Sequence, residues 1–164
     1  MRLVSRSLAS LALLGLLALQ PVLGQSALPE IEKAYAKTYK AASLKFLYGM
    51  YAHRSADFKA YDADGIKVEH AKELATIRDL LNRSLRFSET GKIVSSRFLD
   101  SVTVECDVED TIKAVLPDET SPTSQSVLTI ATLSRDVWAL TDKGWQLKSS
   151  RLIEQTVSSS PVKA

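Results

Sequence analysis

The chain has 164 residues, a single cysteine, and 21 basic against 19 acidic side chains. One cysteine excludes a disulfide within the chain, and a near-balanced charge gives no bulk electrostatic reason to bind nucleic acid or anionic lipid. The length suits one domain with one core.

The first 24 residues read as a secretory signal peptide. Arg2 and Arg6 precede an uncharged apolar run from Leu8 to Leu19, and Val22-Leu23-Gly24 offers a small-residue cleavage site before Gln25. The apolar run falls short of the roughly 20 residues that a membrane-spanning helix needs. Cleavage removes two of the basic residues and no acid, so the mature domain carries 19 of each sign. Its expected location is the periplasm or the cell exterior, with no membrane contact after cleavage and no nucleic-acid partner.

The mature chain opens with an expected helix from Leu28 to Tyr51. Ile31, Tyr35, Thr38, Ala42 and Phe46 recur at spacings of three and four, opposite a charged face with Glu30, Lys33, Lys37 and Lys40. Tyr35 and Tyr39 are i, i+4 neighbours and can project together. Ser55 to Tyr61 is expected as a short helix capped by Ser55. Asp62-Ala63-Asp64-Gly65 is expected as a turn, and Glu69 to Arg83 as a second long helix.

From Leu85 the hydrophobic period changes to two. Short strands are expected at Leu85–Phe87 and Ile93–Phe98. Further strands are expected at Val102–Cys106 and, after a turn at Asp107–Asp110, at Thr111–Leu116. Residues 117–126 read as a polar loop. Val127–Leu140 and Trp145–Glu154 read as a hairpin around Asp142-Lys143-Gly144. The tail, 158–164, is expected to fray. Helices first and antiparallel strands after give an α+β fold, with helices packed on one face of a curved sheet.

Ser55-Ala56-Asp57-Phe58 followed by Tyr61-Asp62-Ala63-Asp64-Gly65, and above all the run Asp136-Val137-Trp138-Ala139-Leu140-Thr141-Asp142-Lys143-Gly144-Trp145-Gln146-Leu147, resemble the nuclear transport factor 2-like (SnoaL-like) superfamily. The resemblance covers roughly residues 28–155, within one domain spanning 25–157. It implies a cone-like, cystatin-like roll: a strongly bent sheet around a long first helix, with a cavity at the wide end. It also implies that dimers are common, and that relatives range from isomerases and dehydratases to binding modules, so fold does not settle function.

A cavity enzyme of this fold needs a base and a donor for an enolate oxygen. Asp57 and His53 are the candidate bases, with Asp107 behind them; Tyr35, Tyr39 and Tyr61 are candidate donors. No spacing ties an acid to a donor. Asp57 also fits the first turn of a short helix, and Asp107 a turn. Tyr35, Tyr39 and Trp138 are the expected ligand-pocket residues, with Trp145 at the hairpin. His53 and His70 with one distant cysteine make no zinc site. An EF-hand register at Gly65 would need ligands where Ala60 and Ala71 stand, so no metal is expected. Asn82-Arg83-Ser84 matches a glycosylation sequon on an expected helix. Cys106 is expected to be buried.

The resulting expectation is an exported domain that binds a small apolar ligand or a partner chain. The incomplete catalytic set leans away from an enzyme, and no cofactor is implied. The alternatives are an isomerase or dehydratase acting on a carbonyl compound, and a dimerising structural module.

Overall fold

The computed structural model describes residues 20–118 and 124–162. Helix α1 (Gln20–Ser43) is followed by one turn of helix, α2 (Leu47–Met50), and strands β1 (Arg54–Tyr61) and β2 (Lys67–Val68). Helix α3 (His70–Arg83) leads into four long strands: β3 (Arg86–Asp100), β4 (Thr103–Pro117), β5 (Gln125–Thr141) and β6 (Gly144–Pro161). One six-stranded open sheet has the order β2-β1-β6-β5-β4-β3. All neighbours pair antiparallel except β1 and β6, which run parallel. The architecture is the expected α+β roll, with α1 lying against the inner face of a curled sheet.

Most of the expected signal, residues 1–19, lies outside the described residues, and α1 runs across the expected cleavage point after Gly24. Among the described residues no helix is long and apolar enough to cross a membrane.

Five local expectations are corrected. The first helix does not reach Tyr51. It ends at Ser43 because Lys45 takes the left-handed conformation, φ 53°. Phe46 N–H then bonds Ala41 O at 2.9 Å and Lys45 N–H bonds Ala42 O at 2.9 Å. That pair is a Schellman stop, here without its usual glycine. The Lys45 ammonium also donates to the Ser84 carbonyl at the end of α3, which ties the two helix ends together.

Residues 55–61 form strand rather than helix. Pairing with β6 on one side and β2 on the other overrides a weak local preference. Two expected short strands merge into β3, where bulges at 93–95 and 98–100 interrupt the ladder without ending it. The expected turn at Asp107–Asp110 does not exist, since β4 runs straight through it. Finally, Ser158 to Pro161 do not fray but pair with Thr129 to Ser126. The expected turns at Asp62–Gly65 and Asp142–Gly144 are both present, with Gly65 and Gly144 at positive φ.

The interior has two apolar clusters. One joins Ala27, Ile31 and Ala34 of α1 to Val104, Cys106, Val108 and Trp138. The other joins Ala41 and Ala42 to Met50, Leu81, Phe87 and Ala114. Each cluster supplies ordinary hydrophobic stabilisation. Between them, on both α1 and β4, the inward positions turn polar: Tyr35, Thr38 and Tyr39 on the helix, Asp110 on the strand. The site lies in this gap.

Candidate functional site: an acidic cavity inside the roll

The cavity has a volume of about 130 Å³. Tyr35, Thr38 and Tyr39 line it from α1, Glu89 from β3, Asp110 from β4, and Ser134, Asp136 and Trp138 from β5. His53 and Arg54, at the start of β1, and Met50, Leu147 and Ser150 complete the wall.

Register explains why these side chains meet. On the inner face of β4 the alternation reads Val104, Cys106, Val108, Asp110, Ile112 and Ala114. Cys106 pairs with Asp136 and Gly91 with Asp110, and Glu89 faces Ile112 one step along β3. Three carboxylates therefore stand in positions that an apolar alternation would give to hydrophobes.

Two of them are held by tyrosines from α1. The Tyr35 hydroxyl donates to Asp136 Oδ2 at 2.5 Å, and the Tyr39 hydroxyl donates to Asp110 Oδ1 at 2.5 Å. Trp138 Nε1–H donates to the Tyr35 oxygen at 2.9 Å, closing a Trp–Tyr–Asp chain. The Tyr35 ring stacks on Tyr39, with centroids 6.1 Å apart, and meets Trp138 edge-on at 5.2 Å. Among the described residues, two carboxylate oxygens, Asp136 Oδ1 and Glu89 Oε2, have no hydrogen-bond partner. Asp136 is only 4% exposed.

Burial dominates the electrostatics. It pushes Glu89 up to about 7, helped by the charge of Asp110 and opposed by Arg54. Burial pushes Asp110 up to about 6, with the Tyr39 hydrogen bond pulling the other way and Asp136 adding to the rise. Asp136 is raised by burial too, and the neighbouring hydroxyls of Ser150, Tyr35 and Ser134 offset only part of it. Burial also raises both tyrosines well above the ordinary phenol value, so they stay neutral donors. His53 is lowered, by burial first and then by the charge of Lys37, and is neutral at pH 7.

The cavity's one arginine is committed elsewhere. Arg54 forms a two-pronged pair with Glu73 of α3, at 2.9 and 2.6 Å. Its guanidinium also sits 4.1 Å from the ring centroids of both Tyr51 and Phe58.

Of the expected pocket residues, Tyr35, Tyr39 and Trp138 do line the cavity, and so does His53. Asp57 does not. It lies on β1 with its side chain 71% exposed, paired to Lys148 at 2.8 Å, and this hydrogen bond holds it down to about 2. Strand alternation turns it outward, where a helix would not have. Asp107 also faces out, bonded to Arg135 at 2.8 Å and to Ser95, and is lowered by the arginine bond. Tyr61 lies further along β1, outside the cavity wall, and His70 is exposed beside Glu73. Trp145 packs against the first apolar cluster, and Cys106 is buried within it.

No protein-family model matches the chain, and no curated protein matches it. Solved structures do. A protein from Kribbella flavida superposes with a TM-score of 0.65 at 15% identity, over 81% of this chain and 95% of that one. A putative scytalone dehydratase from Novosphingobium aromaticivorans gives 0.62 at 12% identity, over 88% and 93%. A nuclear transport factor 2-like protein of unknown function in nutrient uptake from Rhodospirillum rubrum gives 0.56 at 16%, over 74% and 95%.

The fold is nuclear transport factor 2-like. At these identities the likeness is one of fold, and the cavity must be read from its own residues. Within this nuclear transport factor 2-like roll, Glu89, Asp110 and Asp136 were not among the expected site residues, yet they set its character. The sequence signal was an acid in phase with inward hydrophobes: Glu89 after Phe87, Asp110 after Val108, Asp136 before Trp138.

Among the described residues no three His, Cys, Asp or Glu side chains are placed to hold one metal ion. Glu89 and Asp110 can exchange protons near neutral pH. The outer face of the sheet bears cross-strand ion pairs, Lys92–Glu109, Arg97–Glu105 and Arg135–Asp107.

Proposed function

We propose that this protein is an exported small-ligand-binding domain whose ligand occupies the acidic cavity. One observation carries the reading: Asp136 Oδ1 and Glu89 Oε2 are buried in the cavity wall with no hydrogen-bond partner among the described residues. An unsatisfied buried polar atom costs about 1–3 kcal/mol, and more when charged. Two such atoms, beside a third buried carboxylate, suit a molecule that supplies the missing donors.

The volume bounds that molecule. Drug-sized ligands need roughly 300–1,000 Å³, and this cavity has about 130 Å³. Native mass spectrometry on protein isolated from its export compartment under non-denaturing conditions tests the reading. A small bound mass is expected, lost in Thr38→Leu, which fills the cavity from α1. Recovery of the ligand-free mass from that compartment, under conditions that retain weak complexes, counts against it.

A second reading, a dehydratase or isomerase, is favoured by one contrast. His53 is held neutral, as a base requires, while Glu89 near 7 keeps a proton to give. Against it, both cavity tyrosines already donate to carboxylates, leaving no free phenol for an enolate oxygen. Turnover of a small β-hydroxy carbonyl compound that disappears in His53→Gln would establish this reading in place of the first.

A further inference from the structure

We infer that the cavity takes a small organic cation, an alkylammonium, with its N–H donors set among Asp136, Glu89 and Asp110 and its alkyl part against Tyr35, Tyr39 and Met50. This rests on the reading of the cavity as a ligand site and names the ligand class. Four observations lead to it.

The first is the sign of the unmet need. Asp136 Oδ1 and Glu89 Oε2 have no hydrogen-bond partner among the described residues, and in their ionised form they can only accept, so an occupant that donates satisfies them. The second is the missing counter-charge. Three carboxylates from three adjacent strands face one space, while Arg54 makes its hydrogen bonds to Glu73 and packs against Tyr51 and Phe58, leaving only its longer-range attraction for Glu89 and Asp136. His53, the other basic group in the wall, is neutral at pH 7. The third is the spacing of the acids. Among the described residues no three His, Cys, Asp or Glu side chains are placed to hold a metal ion, so an N–H donor rather than a metal is the cation that meets these acids. The fourth is the wall of Tyr35, Tyr39 and Met50 beside the acids, which offers the alkyl part an apolar surface.

Proton linkage follows. At neutral pH Glu89 is part-protonated, and a cation binds its ionised form, so uptake releases protons. The groups facing the ligand are Glu89, Asp110, Asp136, Tyr35, Tyr39, His53 and Arg54. The tyrosines stay neutral across the working range. Acidification neutralises Glu89 and Asp110 and adds a charge on His53, and both changes oppose a cation. Affinity therefore rises with pH.

The test is calorimetric titration of the mature protein with n-propylammonium, n-propanol and propionate. These share a chain length and differ in charge. At about pH 8 we expect n-propylammonium to bind about tenfold tighter than n-propanol, and propionate not to bind. On lowering to about pH 5.5 the ammonium affinity should fall about tenfold. Glu89→Gln and Asp136→Asn should each erase most of the preference for the cation, while Asp57→Asn, outside the cavity, should leave it intact. The two cavity variants guard each other, because Glu89→Gln touches no tyrosine contact and should fold even if Asp136→Asn does not. Equal or tighter binding of n-propanol or propionate, abolished by Thr38→Leu, overturns the cation and leaves the cavity a ligand site. Binding of none of the three overturns the cation, and with the ligand-free mass described above it overturns the ligand site as well.

Discussion

The Tyr39 hydroxyl reaches across the interior from α1 to donate to Asp110 Oδ1 on β4, and it can do so only because residue 91 is glycine. A Cβ at Gly91 would overlap both the Asp110 carboxylate and the Tyr39 hydroxyl, and would stand 2.7 Å from the Glu109 carbonyl. The glycine serves close approach, not an unusual turn. We expect Gly91→Ala to destabilise the domain by about 1–3 kcal/mol in urea denaturation, as overpacking does. In a Tyr39→Phe background, where the hydroxyl is gone, the cost of Gly91→Ala should shrink measurably, since neighbours in one network are not additive.

The Glu89 carboxyl makes stability depend on pH in an unusual direction. Its folded value, about 7, lies above its unfolded value, so the folded state holds the proton more tightly. This group's contribution is therefore best below the unfolded carboxylate range and is eroded as pH rises towards about 7, by up to about 1.4 kcal/mol per pH unit. Asp110 acts in the same sense up to about 6. His53 acts in the opposite sense, because a lowered histidine destabilises the fold as pH drops below about 6.5. The clean readout is the difference between wild type and Glu89→Gln. The variant should gain stability relative to wild type as pH rises from about 5 to about 8, and show no gain at about pH 4.

Lys45 offers a backbone test. It occupies the left-handed stop of α1, a conformation that costs a non-glycine residue about 1–2 kcal/mol. Both Lys45→Ala and Lys45→Gly lose the ammonium bond to Ser84, but only the alanine retains the backbone penalty. Glycine should therefore be the more stable of the two by about 1 kcal/mol in thermal denaturation.

Export has its own check. Amino-terminal sequencing of protein recovered from the periplasm or medium of an expressing cell should begin at Gln25. Cleavage there removes the first turn of α1 and spares Ala27 and Ile31, which sit in the first apolar cluster. Recovery of the uncleaved chain from the cytoplasm would contradict the expectation.

The large features were legible because they rest on periodicity and turn chemistry. The α+β order, the helix at 70–83, the hairpin turn at Gly144 and the inward pair Tyr35 and Tyr39 follow from residue spacing and turn residues, and the pocket place of Trp138 from its bulk and the family resemblance. The acidic site was not, for one physical reason. Asp107 to Asp110, read as a local string, looks like a turn, whereas in register it is Val108 and Asp110 facing in with Asp107 and Glu109 facing out. Pairing along fifteen residues outweighed the local preference of two acids for a bend. The same error put Asp57 on a helix and towards a cavity, when a strand turns it to Lys148. Lys45 hid the break in the first helix because the expected marker, glycine, was absent.

The central claim is that the cavity between Tyr35, Glu89, Asp110 and Asp136 receives a ligand, and a crystal soaked with n-propylammonium at about pH 8 tests it most directly. Electron density for the amine, with its nitrogen in hydrogen-bond reach of Asp136 Oδ1 and Glu89 Oε2, is the expected result. A cavity that excludes the amine, with those two oxygens bonded to side chains of the protein itself, would contradict it.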